Sequence, residues 1–445
     1  MIRYVHALIS KPGVEDMSLE PKSEVEEVNT VLPRKSRSTL SVLHLPRNVY
    51  LLLFFTLGKG FQLTIATLNV NYYAHSLGYQ PDFIGLLSAM PAIGALISAI
   101  PVGLLADQIG RKPVLIVSAI LTPLFLAGIA LGTAPLWLLT CAFLQGVAST
   151  AYWVTNLPLL TESTTEQQRV GVFALNSFLL LGVGAFGNLL GGAIPEIAAS
   201  ILHVSAASTV ALRYGVLAAA LSTFIFGLPL WFLREPKRQR LTGSQKNTGV
   251  ELKPKEKLPV PLFAKLLVPD LLFTMGEGAV VALIQLYFIL RFFLLPGALG
   301  VIFTISGLAG GIFSLTAPLF VKRWGKLRII TTVMYLSAPL MILIGFAPTL
   351  WLAVAGEYTR SFMRTLIEPV YAAFAMEQVS DRYRATLSGF YGVTWSIGFS
   401  VGPTAAGWLQ TNVNLSTSFV FGAVCLSLSA SLLLLFFGKR RFSLA

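Results

Sequence analysis

Apolar residues run through this chain in blocks of about twenty, longer than the core-facing stripe of a water-soluble helix requires. Polar breaks rich in Gly, Pro, Lys and Arg separate the blocks. A helix needs about 20 mostly apolar residues to cross a bilayer. The pattern predicts twelve such spans: 48–74, 83–104, 113–132, 135–158, 170–194, 210–232, 266–290, 297–321, 329–347, 349–376, 385–409 and 416–438. Pro and Gly inside several of them are compatible with membrane helices. The longest internal polar stretch falls between spans six and seven. The expected organisation is a polar tail (1–46), a six-helix unit (47–232), a basic linker (233–261), a second six-helix unit (262–438) and a short tail (439–445).

Composition agrees with an all-α integral membrane protein. The chain is 55% hydrophobic and 12% charged, with a mean hydropathy of +0.72. Soluble domains carry about 25% charged residues, so a soluble enzyme, a disordered protein and a fibrous repeat are excluded. The net charge of +13 raises the question of nucleic acid, and the placement of the charges answers it. With the N-terminus inside, 28 of the 33 Lys and Arg residues fall in the tails, the linker and the inner loops. The opposite loops hold only Arg213 and Arg291. Basic residues mark the cytoplasmic side, so both termini are expected there, in the inner membrane, with no nucleic-acid partner. The first apolar helix reads as a signal-anchor, with no cleavable signal peptide before it. The linker reads as a tether on anionic headgroups.

An offset of 215 residues maps one half onto the other. Pro81 pairs with Pro296, Gly85 with Gly300, Gly110 with Gly325, Arg111 with Lys326, Glu162 with Glu377 and Arg169 with Arg384. Tyr72 pairs with Tyr287, Gly187 with Gly402 and Gly192 with Gly407. A single constant offset across many helices predicts two pseudo-symmetric six-helix bundles. Parallel repeats of this kind build secondary transporters with a site between the halves.

The loop after the second span reads Gly103-Leu-Leu-Ala-Asp107-Gln-Ile-Gly110-Arg111-Lys112. Gly103 permits close helix contact, Gly110 a tight turn, and Asp107 an ion pair or a helix N-terminus as partner. In its place between spans two and three, this string resembles the loop signature of the major facilitator superfamily. That resemblance implies a fold of twelve transmembrane helices, alternating access, and a cytoplasmic latch at this loop. The second copy, Pro318-Leu-Phe-Val-Lys322-Arg-Trp-Gly325-Lys326, lacks the acid. Glu162 with Arg169, and Glu377 with Arg384, resemble the family's inner charge network; a solvated loop pair is the competing reading. Gly187-Asn188-Leu-Leu-Gly191-Gly192 resembles the fifth-helix motif of proton-coupled drug exporters, with Asn188 where Pro is expected. Gly398, Gly402 and Pro403 form a related string in span eleven. Close helix packing through small residues explains both strings equally well. The Gly182-Val-Gly184-Ala-Phe-Gly187 string is no dinucleotide site, because no strand precedes it.

Six charges remain inside the spans once span ends are set aside: Lys59, Glu277, Glu357, Arg360, Arg364 and Glu368. They fall in spans 1, 7 and 10, three of the four that the resemblance places around a central cavity. Intramembrane charge normally faces protein or water and marks a pathway. At 100° per residue, Glu357, Arg360, Arg364 and Glu368 form one stripe. Lys59, Gln62, Asn69 and Tyr73 form another, and Thr274, Glu277, Gln285 and Phe288 a third. Gln145, Tyr152, Trp153 and Asn156 in span 4 are candidates to hydrogen-bond or stack a ligand. Lys59 and Glu277 both sit near the midplane, where they are expected to meet across the cavity. Three cations and three anions also fit a purely structural set of buried salt bridges. The functional reading makes Glu277 or Glu368 the proton-exchanging carboxyl.

Cys141 and Cys425 give no disulfide or metal spacing, and His6, His44, His75 and His203 lie outside the apolar cores. No phosphate-binding lysine loop occurs, so uphill transport would draw on an ion gradient. No cofactor, metal or enzyme activity is expected. The reading is a monomeric, proton-coupled exporter of small drug-like molecules. A proton symporter for an organic anion or sugar is the alternative, and a non-transporting membrane sensor or scaffold is the alternative of another class.

Overall fold

The computed structural model describes residues 45–234, 259–314 and 317–438. The sequence-predicted tails and most of the basic linker lie outside the described residues. Among the described residues there is no strand. The first repeat comprises α1 (Arg47–Ser76), α2 (Pro81–Ile109), α3 (Arg111–Leu131), α4 (Pro135–Glu162), α5 (Glu166–Ser177), α6 (Phe186–Leu202) and α7 (Thr209–Gly227). The second comprises α8 (Val260–Val281), α9 (Ile284–Phe292), α10 (Pro296–Ser314), α11 (Ala317–Trp324), α12 (Lys326–Gly345), α13 (Leu350–Glu377), α14 (Asp381–Asn412) and α15 (Thr417–Phe437). Among the described residues, eight helical rods are long and apolar enough by themselves to cross a membrane. α13 is 28 residues long, but four charges in its middle lower its apolar character.

Local sequence sets the ends of these helices. Pro81 and Pro296 open α2 and α10, where the missing N–H costs nothing. Gly110 and Gly325 turn the chain at φ +100° and +77°, a region open to Gly and strained for side chains with a Cβ. Thr165 and Gln168 close a capping box at the start of α5.

Two rods differ from the continuous helices that the pattern predicts. α5 and α6 are joined through a π-helical turn at Phe178–Val183, and the whole rod runs from Glu166 to Leu202. Its carbonyl at Gly184 accepts the Thr64 hydroxyl of α1 at 2.8 Å. Likewise α8 and α9 are interrupted at Ala282 and Leu283. The Ala282 carbonyl freed there accepts the side-chain amide of Asn71 at 2.7 Å. Irregular backbone at membrane depth is tolerated where protein groups satisfy it.

The two repeats carry similar contacts, made by tyrosines one residue out of the 215-residue register. The Tyr73 hydroxyl donates to the Ala130 and Gly132 carbonyls, and the Tyr287 hydroxyl to the Ile344 and Gly345 carbonyls. Both tie one helix to the C-terminal end of another. Between the repeats, α2 packs along α14, and α6 along α10. A methyl on Gly85 would lie 2.3 Å from the Pro403 carbonyl oxygen; one on Gly300 would lie 2.5 Å from that of Asn188. Gly192 and Gly407 approach the Pro296 and Pro81 carbonyls just as closely. Pro81, Gly85, Asn188 and Gly192 are therefore repeat mates of Pro296, Gly300, Pro403 and Gly407 in contact as well as in sequence.

These crossings share one end of the molecule. Nearby, Tyr72 donates to the Leu294 carbonyl at 3.2 Å, the Asp82 amide to Thr411 at 2.9 Å, and the Gly297 amide to Glu196 at 3.1 Å. At the opposite end ion pairs run within each repeat, Arg111 with Glu162 and Lys326 with Glu377. There, Gly389 and Gly392 of α14 have open space beside them.

Candidate functional site

The spacing 357, 360, 364, 368 stacks four charges on one face of α13, and α8 brings Glu277 against them. Arg360 is nearly fully buried between two carboxylates. Its Nε and Nη2 donate to Glu357 at 2.9 and 3.2 Å, and its Nη1 donates to Glu277 at 2.9 Å. Arg364 continues the line: its Nε lies 3.9 Å from the same Glu277 oxygen, and its Nη1 donates to Glu368 at 3.2 Å. The result is an alternating row, Glu357–Arg360–Glu277–Arg364–Glu368. It grades from a sealed end to Glu368, whose side chain is 51% exposed.

Lys59 stands apart from this row. It is fully buried, and its Nζ donates to Gln62 at 2.8 Å and Ser149 at 3.0 Å, with the Tyr152 ring 5.5 Å away. Among the described residues no carboxylate lies within ion-pair reach of it, and it does not meet Glu277. Arg360 already satisfies that carboxylate from the second repeat. The helical wheel gave the facing of Lys59 and its neighbour Gln62, but not Ser149 and Tyr152 of α4.

A cavity of about 340 Å³ opens beside the row, lined from α8, α13 and α14. It runs from Glu277 to Met376 and Ser388, close to the Lys326–Glu377 pair. Of the predicted pathway residues, Glu277, Arg364 and Glu368 line it. The first-repeat candidates are used elsewhere. Asn69 donates to the Ile65 and Gly191 carbonyls, Tyr73 caps α3, and Asn156 donates to Asn176 at 3.0 Å beside Tyr152 and Thr56. Gln145 is buried and Trp153 exposed, both outside the cavity lining. The interruption at 282–283 breaks the wheel that grouped Gln285 and Phe288 with Glu277. Both are buried outside the cavity, and the Gln285 Oε1 is unpartnered.

The inner-loop residues also pair differently from the sequence reading. Glu162 joins Arg111, not Arg169, and Glu377 joins Lys326, while Arg384 donates to the Met376 carbonyl at 3.1 Å. Seven residues across a loop do not return a side chain as directly as the facing helix start does. Lys112 donates to the Trp231 carbonyl, and Asp107 is exposed beside the Gly110 turn. A methyl on Gly103 would meet only Val154, at 3.8 Å, so Gly103 makes no close helix approach in this conformation. Gly187 and Gly191 pack on α1, and Gly398 and Gly402 on α8.

Sequence reasoning missed Asp270, Tyr371, Tyr391 and Trp395. Asp270 sits in the first half of α8, where the pattern placed it at a span end. In the structure it is buried, lines the cavity, and accepts the Thr394 hydroxyl. Tyr371 and Tyr391 meet edge-to-face with ring centroids 6.0 Å apart. They occupy the repeat positions of Asn156 and Asn176, which in the first half close on each other by a hydrogen bond.

The helical repeats, their glycine crossings and the buried charge row define a multi-pass membrane protein with the architecture of a secondary carrier. The chain belongs to the Major Facilitator Superfamily, whose family model matches residues 50–354 and 271–444. That membership points to a transporter, not an enzyme. The chain is similar to the multidrug resistance protein MdtG of Salmonella arizonae, 32% identical over 163 residues, which is 36% of this chain and 40% of that protein. Among solved structures it resembles a bacterial homolog of the human lysosomal transporter Spinster, in an inward-facing, occupied conformation (TM-score 0.74, 15% identity, 88% of this chain and 96% of that one). A D-xylose–proton symporter superposes with a TM-score of 0.70 at 15% identity, over 86% of this chain and 96% of that one.

Proposed function

We propose that this chain is a proton-coupled exporter of small, drug-like organic molecules. In this reading it has twelve transmembrane helices in two six-helix bundles, 47–232 and 262–438. It works as a monomer in the inner membrane, with both termini cytoplasmic. The observation that carries the proposal is the aromatic cavity set directly against the Glu277–Arg360 pair. A molecule bound there disturbs the partners of Arg364 and Glu277, and Glu277 released from its cations accepts a proton. The repeats touch at the end bearing Pro81 and Pro296, and the cavity reaches toward the other. With both termini inside, this is an inward-facing state of an alternating-access cycle. The similarity to a multidrug resistance protein supports efflux, over the limited length it covers.

The symporter alternative rests on Lys59, Arg360 and Arg364 as receptors for an anion. Of these only Arg364 lines the cavity, and Arg360 already serves two carboxylates. Exporter activity is tested in proteoliposomes. Glu277→Gln is expected to abolish proton-driven flux while sparing substrate exchange at equilibrium. Coupled flux unchanged from wild type overturns the reading.

A further inference from the structure

We propose that the cavity is selective for lipophilic organic cations, and that Asp270 is the residue that recognises their charge. The inference rests on reading this cavity as the substrate site, and adds the substrate class. Three carboxylates line the cavity, Asp270, Glu277 and Glu368, against one cation, Arg364. Two of the three are committed: Glu277 to Arg360, and Glu368 to Arg364. Asp270 is more than nine-tenths buried and faces the cavity. Among the described residues no Lys, Arg or His lies within ion-pair reach of it, and its recorded partner is the Thr394 hydroxyl. A buried carboxylate without a counter-ion is an open position for a positive charge.

The remaining walls suit the rest of such a molecule. Phe273 stacks parallel to Tyr371 at 6.2 Å, and Trp395 stacks on Phe399 at 4.6 Å. With Tyr391 these make five aromatic residues in the cavity lining. Aromatic faces attract cations, most strongly where water is excluded, and their apolar area takes up the organic body. An anion of the same shape would meet the carboxylates and the ring faces with the wrong sign. A hollow of about 280 Å³ lined by Ile194, Ile197, Ala198, Ile201, Leu202 and Tyr214 offers no charge of either sign.

The test is equilibrium binding to the full-length protein in detergent, without any gradient. The probes are tetraphenylphosphonium and tetraphenylborate, which share a shape and differ in sign. Wild type is expected to bind the cation at least about tenfold more tightly than the anion, a factor worth ~1.4 kcal/mol. Asp270→Asn is expected to remove that preference, and Asp270→Glu to retain part of it. Trp395→Ala, at a half-exposed position, is expected to weaken cation binding severalfold, and it keeps the idea testable if Asp270→Asn does not fold. Equal affinity of wild type for both ions, a full cation preference in Asp270→Asn, or undiminished cation binding in Trp395→Ala overturns the proposal. Absence of proton-driven flux with intact cation selectivity would instead overturn the exporter reading and leave this one standing.

Discussion

Arg360 holds two buried carboxylates at once, so its loss leaves Glu357 without a cation and Glu277 with only Arg364, at 3.9 Å. Breaking a buried ion pair from one side costs about 3–5 kcal/mol. Arg360→Gln is therefore expected to lower the unfolding temperature of the purified protein sharply, and adding Glu357→Gln to recover part of the loss. A melting curve equal to wild type for the single variant would contradict the ion-pair geometry. Lys59 makes the opposite case, because it is buried without a carboxylate. Lys59→Met removes a desolvated charge and is expected to leave stability unchanged or raise it by about 1–4 kcal/mol; a large loss in thermal unfolding would show that its bonds to Gln62 and Ser149 dominate. The sequence made the α13 stripe legible because helix spacing alone aligns positions 357 to 368. It did not reveal Asp270, since depth in a membrane is read from span boundaries and these shift by several residues. It placed Gln62 on the stripe of Lys59 but did not reveal Ser149 and Tyr152 beside it, which come from α4 and depend on packing.

At the level of helices, the glycine crossings are the strongest structural commitment. Gly85 and Gly300 each place a helix against a backbone carbonyl with no room for a methyl. Overpacking a tight contact costs about 1–3 kcal/mol, so Gly85→Ala and Gly300→Ala are each expected to destabilise by that amount in thermal unfolding. Their repeat relation predicts effects of similar size. A change at one site with none at the other would show that the two crossings are not equivalent. These positions were legible as a pair from the 215-residue offset, because Pro81 and Gly85 recur as Pro296 and Gly300. The π turn at Phe178–Val183 and the interruption at Ala282 were not legible. Both depend on a donor from another helix, Thr64 in one case and Asn71 in the other. A one-dimensional period assumes an unbroken helix and carries no record of such partners.

Over the whole molecule, the two ends differ in how the repeats meet. Cysteine substitutions at Ser88, bonded to Asn71 of α1 about one turn from Gly85, and at Gly392, beside open space, report this directly. With the native Cys141 and Cys425 buried, Gly392→Cys is expected to react with a water-soluble maleimide at least about tenfold faster than Ser88→Cys. Equal rates would contradict the conformation described. Joining Asp82→Cys to Thr411→Cys with a short bis-thiol reagent is expected to arrest flux. Flux that continues after cross-linking would mean that this end need not separate for transport.

The matched positions 156/371 and 176/391 hold a closed asparagine pair in one copy and two cavity tyrosines in the other. In one half these two positions are thus turned on each other, and in the other they face the cavity. Across relatives of this chain, changes in what is carried are expected to collect in α8, α13 and α14, while the corresponding helices of the first half hold still. A specificity switch engineered through 371, 391 and 395 would then need no compensating change before residue 233.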